Sequence, residues 1–362
     1  MILVRNIRLP LSAGEPQAFE KALHTLRVPR SKVEHTGVAK LSVDARHGQP
    51  KLVYTVAVTL RQPGEEAALA ARCPDAALHR RADFTLQPGT QPLAHRPVVC
   101  GLGPAGLFAA LLLARQGYRP IVLERGPALD ARVQAVEHFS ATGQLDPNAN
   151  IQFGEGGAGA FSDGKLNTGT KDLRHRFILE TLVRCGAPDT ILTDAKPHVG
   201  TDKLHIALQA LRQELEAAGA DICFNARLEH IRIQDGAVSA VTVCQNGQTY
   251  DLPARHVLLA LGHSARDTFE MLHRVGLYMV PKPFAMGVRI EHRQSAIDAA
   301  QYRSLAGHPA LPPSTYKLSC HLPNGRSAFS FCVCPGGQVV AAASEPGRVV
   351  TNGMSEFARD KE

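Results

Sequence analysis

A short glycine-rich segment of this 362-residue chain has the spacing needed to hold a phosphate group. It reads GLGPAG at residues 101–106, after an apolar run at 97–100 and before a Leu- and Ala-rich helical stretch at 105–116. Glycines at this spacing permit a tight turn, let the backbone approach a pyrophosphate, and let helix and strand pack closely. The helix N-terminus then offers free N–H groups to an anion. The pattern predicts a dinucleotide site that includes Gly101, Gly103, Pro104, Ala105 and Gly106.

Charged side chains follow the next apolar strand, at 119–123. Glu124 stands 23 residues after Gly101, close to the spacing at which an acidic residue accepts hydrogen bonds from a ribose. Arg125 follows directly, and Arg132 lies near enough to reach back to the phosphates. We therefore expect Glu124, Arg125 and Arg132 to contact the dinucleotide.

A second glycine-rich stretch, FGEGGAGAFSDGKL, covers residues 153–166. So many small residues favour a backbone that lies against a flat or anionic ligand, although a flexible loop is the alternative. Because Leu166 replaces the Ser or Thr of a phosphate-binding P-loop, a nucleotide triphosphatase is excluded. The residues expected to contact the ligand here are Gly156, Gly157, Ser162, Gly164 and Lys165.

The elements that must position these residues divide the chain into three parts. Residues 97–268 alternate strands and helices with continuous apolar runs, which predicts a Rossmann-like, three-layer α/β domain on a parallel sheet. Residues 1–96 predict an α+β module with strands at 2–9, 40–46 and 51–60 and a helix at 16–27, similar to half of a ferredoxin-like sandwich. Residues 269–362 are expected to form a partial, mixed-sheet substrate domain.

Several features favour FAD over NAD as the resident dinucleotide. The glycine fingerprint occurs once with the right context, and Arg132 follows it. A helix at 202–218 and a strand at 221–225 precede Leu228, near where an adenine edge could be contacted. An apolar strand at 256–262 then ends in Gly262, as in glutathione-reductase-type flavoproteins, although Leu261 replaces their usual threonine. The chain has no second glycine fingerprint in the right context for NAD(P)H, so NAD(P)H would bind transiently or not at all.

Longer motifs give a more specific resemblance. FGEGG at 153–157, AFSDGKLNTG at 160–169, VGTDKL at 199–204, LALGHSARDTF at 259–269, KPFAMGVRIEH at 282–292 and CVCPGGQVV at 332–340 are similar to a family of uncharacterised FAD-dependent dehydrogenases. The resemblance covers nearly the whole chain. It implies a flavoprotein oxidoreductase that transfers two electrons to or from a small-molecule substrate, without naming that substrate.

Three residues are candidates for catalysis. Lys165, beside Asp163, could face a flavin ring, where an ammonium would favour the anionic reduced form; a surface lysine is the alternative. His263 follows the strand that ends at Gly262 and is a candidate acid–base group. Cys334, two residues from Cys332, could form a redox pair if the segment is a strand, although packed core thiols are the simpler interpretation.

Composition and charge limit the other functions that the protein could have. The net charge is +7, and residues 1–96 hold 14 of the Lys and Arg against 8 Asp and Glu. A flavoprotein that docks tRNA through this basic module is therefore the alternative function, and a non-catalytic flavin-binding protein is a further one. Without a signal peptide, CxxC pair or HExxH motif, we expect a cytoplasmic protein with free thiols, no metal site and no membrane partner.

The end of the chain gives a last expectation. Two-part FAD proteins return to the FAD domain through a glycine-rich segment near the C-terminus, often with Gly-Asp, and the resembling family runs on past this point. The chain has no Gly-Asp dipeptide. We therefore expect a truncated member in which the ADP half of the FAD site is intact and the flavin half incomplete.

Overall fold

The computed structural model describes residues 1–46, 48–167, 169–170 and 172–362. Thr168, inside the 160–169 motif, therefore lies outside the described residues. The elements of the N-terminal module are β1 (Ile2–Leu9), α1 (Glu15–Leu26), β2 (Val33–Asp44), β3 (Lys51–Leu60), α2 (Glu66–Arg72) and β4 (Ala76–Leu78). The antiparallel sheet has the order β2-β3-β1-β4, which is a complete split βαββαβ arrangement.

Alternating burial explains how this module packs. Every second residue of β3, from Leu52 to Leu60, is buried, and Ala18, Ala22 and Leu23 of α1 lie in the same core. The module also pairs with the rest of the chain: the Leu41 N–H donates to the Thr193 carbonyl at 2.8 Å, and the Ala195 N–H donates to the Leu41 carbonyl at 2.8 Å.

The second part of the chain is an α/β unit with a parallel sheet. Its elements are β5 (Val98–Cys100), α3 (Pro104–Arg115), β6 (Ile121–Leu123), α4 (Leu129–Thr142), α5 (Leu173–Arg184), α6 (Thr201–Ala217), β7 (Asp221–Cys223), β8 (Ala226–Gln234), β9 (Ala237–Gln245), β10 (Gln248–Pro253), β11 (Val257–Leu259) and α7 (Arg266–Arg274). The parallel strands have the order β11-β5-β6-β7, while β8, β9 and β10 form an antiparallel meander. The predicted parallel α/β fold is therefore confirmed in outline.

Both faces of the parallel sheet are covered, which gives three layers. Val99 and Val122 point into a core that contains Leu111 of α3 and Leu211 of α6. Val98, Cys100 and Leu123 point the other way, into a core shared with the meander and with α7. Adjacent residues of a strand face opposite sides, so the continuous apolar runs follow from burial on both faces.

The last part of the chain is less regular than predicted. It contains α8 (Gln294–Tyr302) and two separate antiparallel ribbons, β12 (Ser319–His321) with β13 (Ser327–Phe329) and β14 (Gln338–Ala341) with β15 (Thr351–Met354). The expected mixed sheet is not formed. The expectation of a strand at Cys332–Cys334 is also wrong, because that segment lies in irregular backbone before β14.

The apolar run at 97–114 is divided between β5, the glycine turn and α3. In the part of the chain that the structure describes, no helix is long and apolar enough to span a bilayer.

Candidate functional site

Two glycines of the turn after β5 are required by the protein's own packing. Gly101 has φ +102°, and a Cβ there would lie 2.4 Å from the Ala260 carbonyl oxygen. A Cβ on Gly106 would lie 1.8 Å from the Gly101 carbonyl oxygen. Because both contacts are with backbone, a side chain at either position would force α3 and β11 away from the turn.

Gly103, between them, has no such requirement. Its φ is −74°, a value that any residue can adopt. A Cβ there would meet only the Gly157 Cα, at 3.7 Å, which is ordinary van der Waals contact. Packing therefore does not require a glycine at position 103. The position lies beside the first turn of α3, whose N–H groups have no partner within the helix, so a ligand could approach the backbone there.

A cavity of about 570 Å³ lies at this position, at the carboxyl ends of β5, β6 and β11. In open α/β sheets, ligands bind at the carboxyl ends of the strands. The structure brings together around this cavity many of the residues that the sequence predicted: Gly101, Gly103, Pro104, Ala105, Glu124, Arg125, Gly157, Leu228, Gly262 and His263.

Glu124 joins three loops around the cavity. It is 5% exposed, and its Oε2 accepts a hydrogen bond from the Leu102 N–H at 2.8 Å. Its Oε1 accepts from the N–H groups of Gly126 at 3.0 Å and Gly154 at 2.9 Å. A carboxylate offers about four acceptor sites, so one on Oε2 is left for a hydroxyl group.

Arg125 is held in place by an ion pair and an aromatic ring. Its guanidinium donates to both carboxylate oxygens of Asp267, at 3.0 and 2.7 Å, and lies 4.2 Å from the ring centroid of Phe153. Burial pushes the pKa of Asp267 up, but the hydrogen bond and charge of Arg125 bring that pKa below its ordinary value. The Arg125 Nε is buried without a hydrogen-bond partner among the described residues, so it is a free donor beside the cavity.

Arg132 does not contact the cavity, contrary to the prediction. Its side chain is fully buried, and its guanidinium donates to loop carbonyls of Asn150, Ile151, Gly154 and Glu155. Burial lowers the pKa of this guanidinium to about 10. Arg132 therefore fixes the shape of the glycine-rich loop instead of binding phosphate.

The later part of the glycine-rich loop also lies away from the cavity. Gly156, Ser162, Gly164 and Lys165 are absent from its lining, and Gly106 lies beneath the turn. The Lys165 Nζ donates to Asp163 Oδ2 at 2.7 Å, to Cys332 Sγ at 3.2 Å and to the Val333 carbonyl. Because an ammonium has three N–H donors, these partners use all of them. The expectation that Lys165 faces a flavin ring is not met in this conformation.

Asp163 is the centre of a buried polar cluster that joins this loop to the C-terminal segment. Besides Lys165, its carboxylate accepts from the Ser355 hydroxyl and from the Arg359 guanidinium at 3.0 Å, and it lies 3.2 Å from the His198 Nδ1. Burial pushes the pKa of Asp163 up, but the hydrogen bonds from Lys165 and Ser355 and the charge of Arg359 bring it below its ordinary value. Asp163 thus ties the loop to residues 355–359 by charge, and Lys165 ties it to Cys332 and Val333 by hydrogen bonds.

The two neighbouring cysteines differ from the expected packed pair. Cys332 is exposed and Cys334 is half-buried. Both line a separate cleft of about 410 Å³ next to α8. Burial, followed by the charge of Asp163, raises the pKa of the Cys334 thiol, which disfavours its thiolate.

His263 is the one catalytic candidate that lies at the cavity beside the glycine turn. It is exposed, and its Nδ1 lies 2.8 Å from the hydroxyl of Ser264. A fixed hydrogen bond at one ring nitrogen orients the other. Arg266, the first residue of α7, pairs with Glu345.

Sequence reasoning missed two further residues that line this cavity. Gln152 accepts from the Ser264 hydroxyl at 3.3 Å and donates to the Ala342 carbonyl at 3.1 Å. Met279 reaches the same cavity from the chain that follows α7. Met279 has no local signal, whereas Gln152 precedes the glycine-rich loop and could have been included with it.

Comparison with known proteins places the chain in a family. It is 43% identical, over 364 residues, to an uncharacterized protein of Clostridium beijerinckii, an alignment that covers 99% of this chain and 67% of that protein. The chain belongs to the same family as that protein. Residues 283–362 match the family model described as FAD-dependent protein, C-terminal domain-like, and residues 1–59 match a domain of unknown function.

Solved structures show weaker similarity. THI4 of Thermovibrio ammonificans is 17% identical, with a TM-score of 0.32, over 50% of this chain and 62% of THI4. The glycerol-3-phosphate dehydrogenase of Bacillus halodurans, solved with FAD, is 15% identical, with a TM-score of 0.31, over 48% of this chain and 35% of the enzyme. The chain spans less than two thirds of either protein, and the fold assignment rests on the strand order instead.

Proposed function

We propose that this protein is an FAD-dependent oxidoreductase and that the cavity beside Gly103 binds the ADP half of FAD. The observation that carries the proposal is Gly103 itself, a glycine with no packing or backbone reason to be one, at the start of α3 and at the mouth of a cavity. The match of residues 283–362 to an FAD-dependent family supports the same cofactor.

The residues present fit such a ligand. The Ala105 N–H, in the first turn of α3, would bind the pyrophosphate. The free acceptor site of Glu124 would hold a ribose hydroxyl, and Leu228 would pack against the adenine. The cofactor supplies two-electron hydride chemistry when bound. NAD(P)H would be a transient electron donor or acceptor, and His263 the group that holds or releases a proton for a small organic substrate.

A visible spectrum and an FAD titration test the proposal. The purified chain should be yellow, or should quench the fluorescence of added FAD. Gly103→Ala should weaken FAD binding about tenfold or more, because its methyl group occupies the path of the pyrophosphate, while unfolding stays unchanged. Gly89→Ala, at a position with nothing within 4 Å, is the matched control. A chain that takes up no FAD would contradict the proposal.

The electron partner needs a separate measurement. With FAD bound, anaerobic addition of NADH or NADPH should bleach the flavin absorbance if either nucleotide is the donor. If neither nucleotide bleaches the flavin absorbance, NAD(P)H is removed from the proposal and the electron donor is another reductant.

RNA docking through the basic module is the alternative function, and it depends on how many of the basic side chains are unpaired. Arg8, Lys32, Arg46 and Arg81 each form an ion pair with a carboxylate. These pairs reduce the positive potential with which the module could attract a phosphate backbone.

A further inference from the structure

The segment after α7 exposes an alternating row of apolar side chains. Leu277 and Met279 line the cavity beside the glycine turn, and every residue from 280 to 290 is exposed. Six apolar residues at even positions from 278 to 290 are between 64% and 90% exposed: Tyr278, Val280, Phe284, Met286, Val288 and Ile290. We call residues 278–290 the apolar strip.

From 284 to 290 the large apolar residues alternate with Ala285, Gly287 and Arg289. This is the sequence pattern of a β-strand that buries one face against a partner. The chain runs from 277 to 293 without a helix, turn or sharp bend. Among the described residues, no backbone N–H or C=O of the strip pairs with another backbone group. Pro281 and Pro283 have no N–H, which limits them to a strand's start or edge. From 284 to 290 the strip has a strand's sequence and the unpaired N–H and C=O groups of a strand edge.

The ribbons nearby are also incomplete. β12 and β13 form a two-stranded ribbon whose residues are all exposed, whereas β14 and β15 pack Val340 and Met354 on the main core. A two-stranded ribbon is only marginally stable without a third strand or a covering helix. Phe331 is 88% exposed and Val349 91% exposed. Large exposed apolar side chains along one segment, as in the apolar strip, mark an interaction site.

The family relative is longer than the part of it that this chain matches. The Clostridium beijerinckii protein matches 99% of this chain at 43% identity and contains a further third that the chain does not match. We propose that the apolar strip is an acceptor edge for β-strand addition, and that its partner is a polypeptide of the kind that forms this unmatched third. Backbone pairing would supply affinity, and the alternate apolar side chains would supply specificity. This inference does not depend on the flavin proposal.

Co-expression tests the proposal. The full chain, carrying an affinity tag, is produced together with the unmatched third of the Clostridium beijerinckii protein, and the purified material is examined by size-exclusion chromatography with light scattering. We expect a 1:1 complex in which amide hydrogen exchange of residues 278–290 is at least tenfold slower than in the chain alone. Absence of a complex, a complex without this protection, or a homodimer formed through the strip would each overturn the proposal.

Matched variants locate the contact. Phe284→Lys should weaken the complex about tenfold or more, whereas Ile233→Lys, at a half-exposed apolar residue on β8, should leave it unchanged. Circular dichroism checks that both variants fold. In the intact Clostridium beijerinckii protein, the segment aligned with 278–290 should exchange slowly. Rapid exchange there would contradict the proposal. This measurement does not require the unmatched third to fold as a separate polypeptide.

Discussion

At the scale of single residues, packing requires two of the glycines in the turn after β5 but not the third. Gly101 and Gly106 are bare because the protein's own backbone fills the space beside them, whereas Gly103 is bare without that reason. The same sequence motif therefore contains two kinds of glycine, which substitution should distinguish.

Gly101→Ala and Gly106→Ala should each destabilise the fold by about 3 kcal/mol or more, since a methyl group would meet a backbone carbonyl and the turn would have to shift. Gly103→Ala should change the free energy of unfolding by less than about 0.5 kcal/mol. Urea denaturation monitored by circular dichroism measures all three. Equal destabilisation by Gly103→Ala would show that packing explains the whole motif.

The Asp163 cluster gives a pH-dependent prediction. Asp163→Asn leaves Lys165 and Arg359 without their buried counter-charge, so we expect a loss of about 3 kcal/mol at pH 7. Because the folded-state pKa of Asp163 lies below the ordinary value of 3.8, the stabilisation is complete above that value. It is lost as pH falls through the lower folded-state pKa.

Urea unfolding at pH 7 and at acid pH tests this direction. The difference between wild type and Asp163→Asn should shrink as the pH falls below about 4. Asp172→Asn, on the exposed residue at the start of α5, is the control and should cost little. A difference that grows toward acid pH would contradict the assigned role.

At the scale of elements, Arg132 of α4 holds the glycine-rich loop from the inside. Lysine in its place can supply three donors but cannot reach four carbonyls in the geometry of a planar fork. Arg132→Lys should therefore destabilise the fold by about 2–3 kcal/mol and speed amide exchange of residues 150–157. Arg212→Lys, at a partly exposed residue of α6 near Glu155, should have a much smaller effect on both measurements.

The central elements could be predicted because local signals and burial agree there. Burial on both faces of the sheet accounts for the apolar runs of β5, β6 and β11. The end of the helix before Gly117 follows from that glycine's φ of +80°. The short α2 and β4 were missed because seven and three residues carry little periodicity. Arg132 and Lys165 were assigned to the ligand because their charge is visible in the sequence. The partners that hold them elsewhere are not visible: loop carbonyls for Arg132, and Cys332 and Val333 for Lys165.

At the scale of the whole molecule, the N-terminal module is attached to the α/β unit through the edge of β2. Leu41→Pro removes the N–H that donates to Thr193 and should speed amide exchange at residues 193–195. Leu41→Ala keeps that N–H and should retain the protection. Unchanged exchange in the proline variant would mean that other contacts hold the module in place.

The strand order of the parallel sheet has a consequence for synthesis of the chain. β5 pairs on one side with β6, which follows closely, and on the other with β11, whose Val257 pairs with Val98. The N-terminal module, complete at Leu78, can fold while the ribosome is still translating the α/β unit. The Gly101 turn, in contrast, gains its packing partner Ala260 only when β11 has emerged. Until then one edge of β5 stays unpaired, so the nascent chain is most exposed to aggregation and proteolysis during translation of the intervening segment.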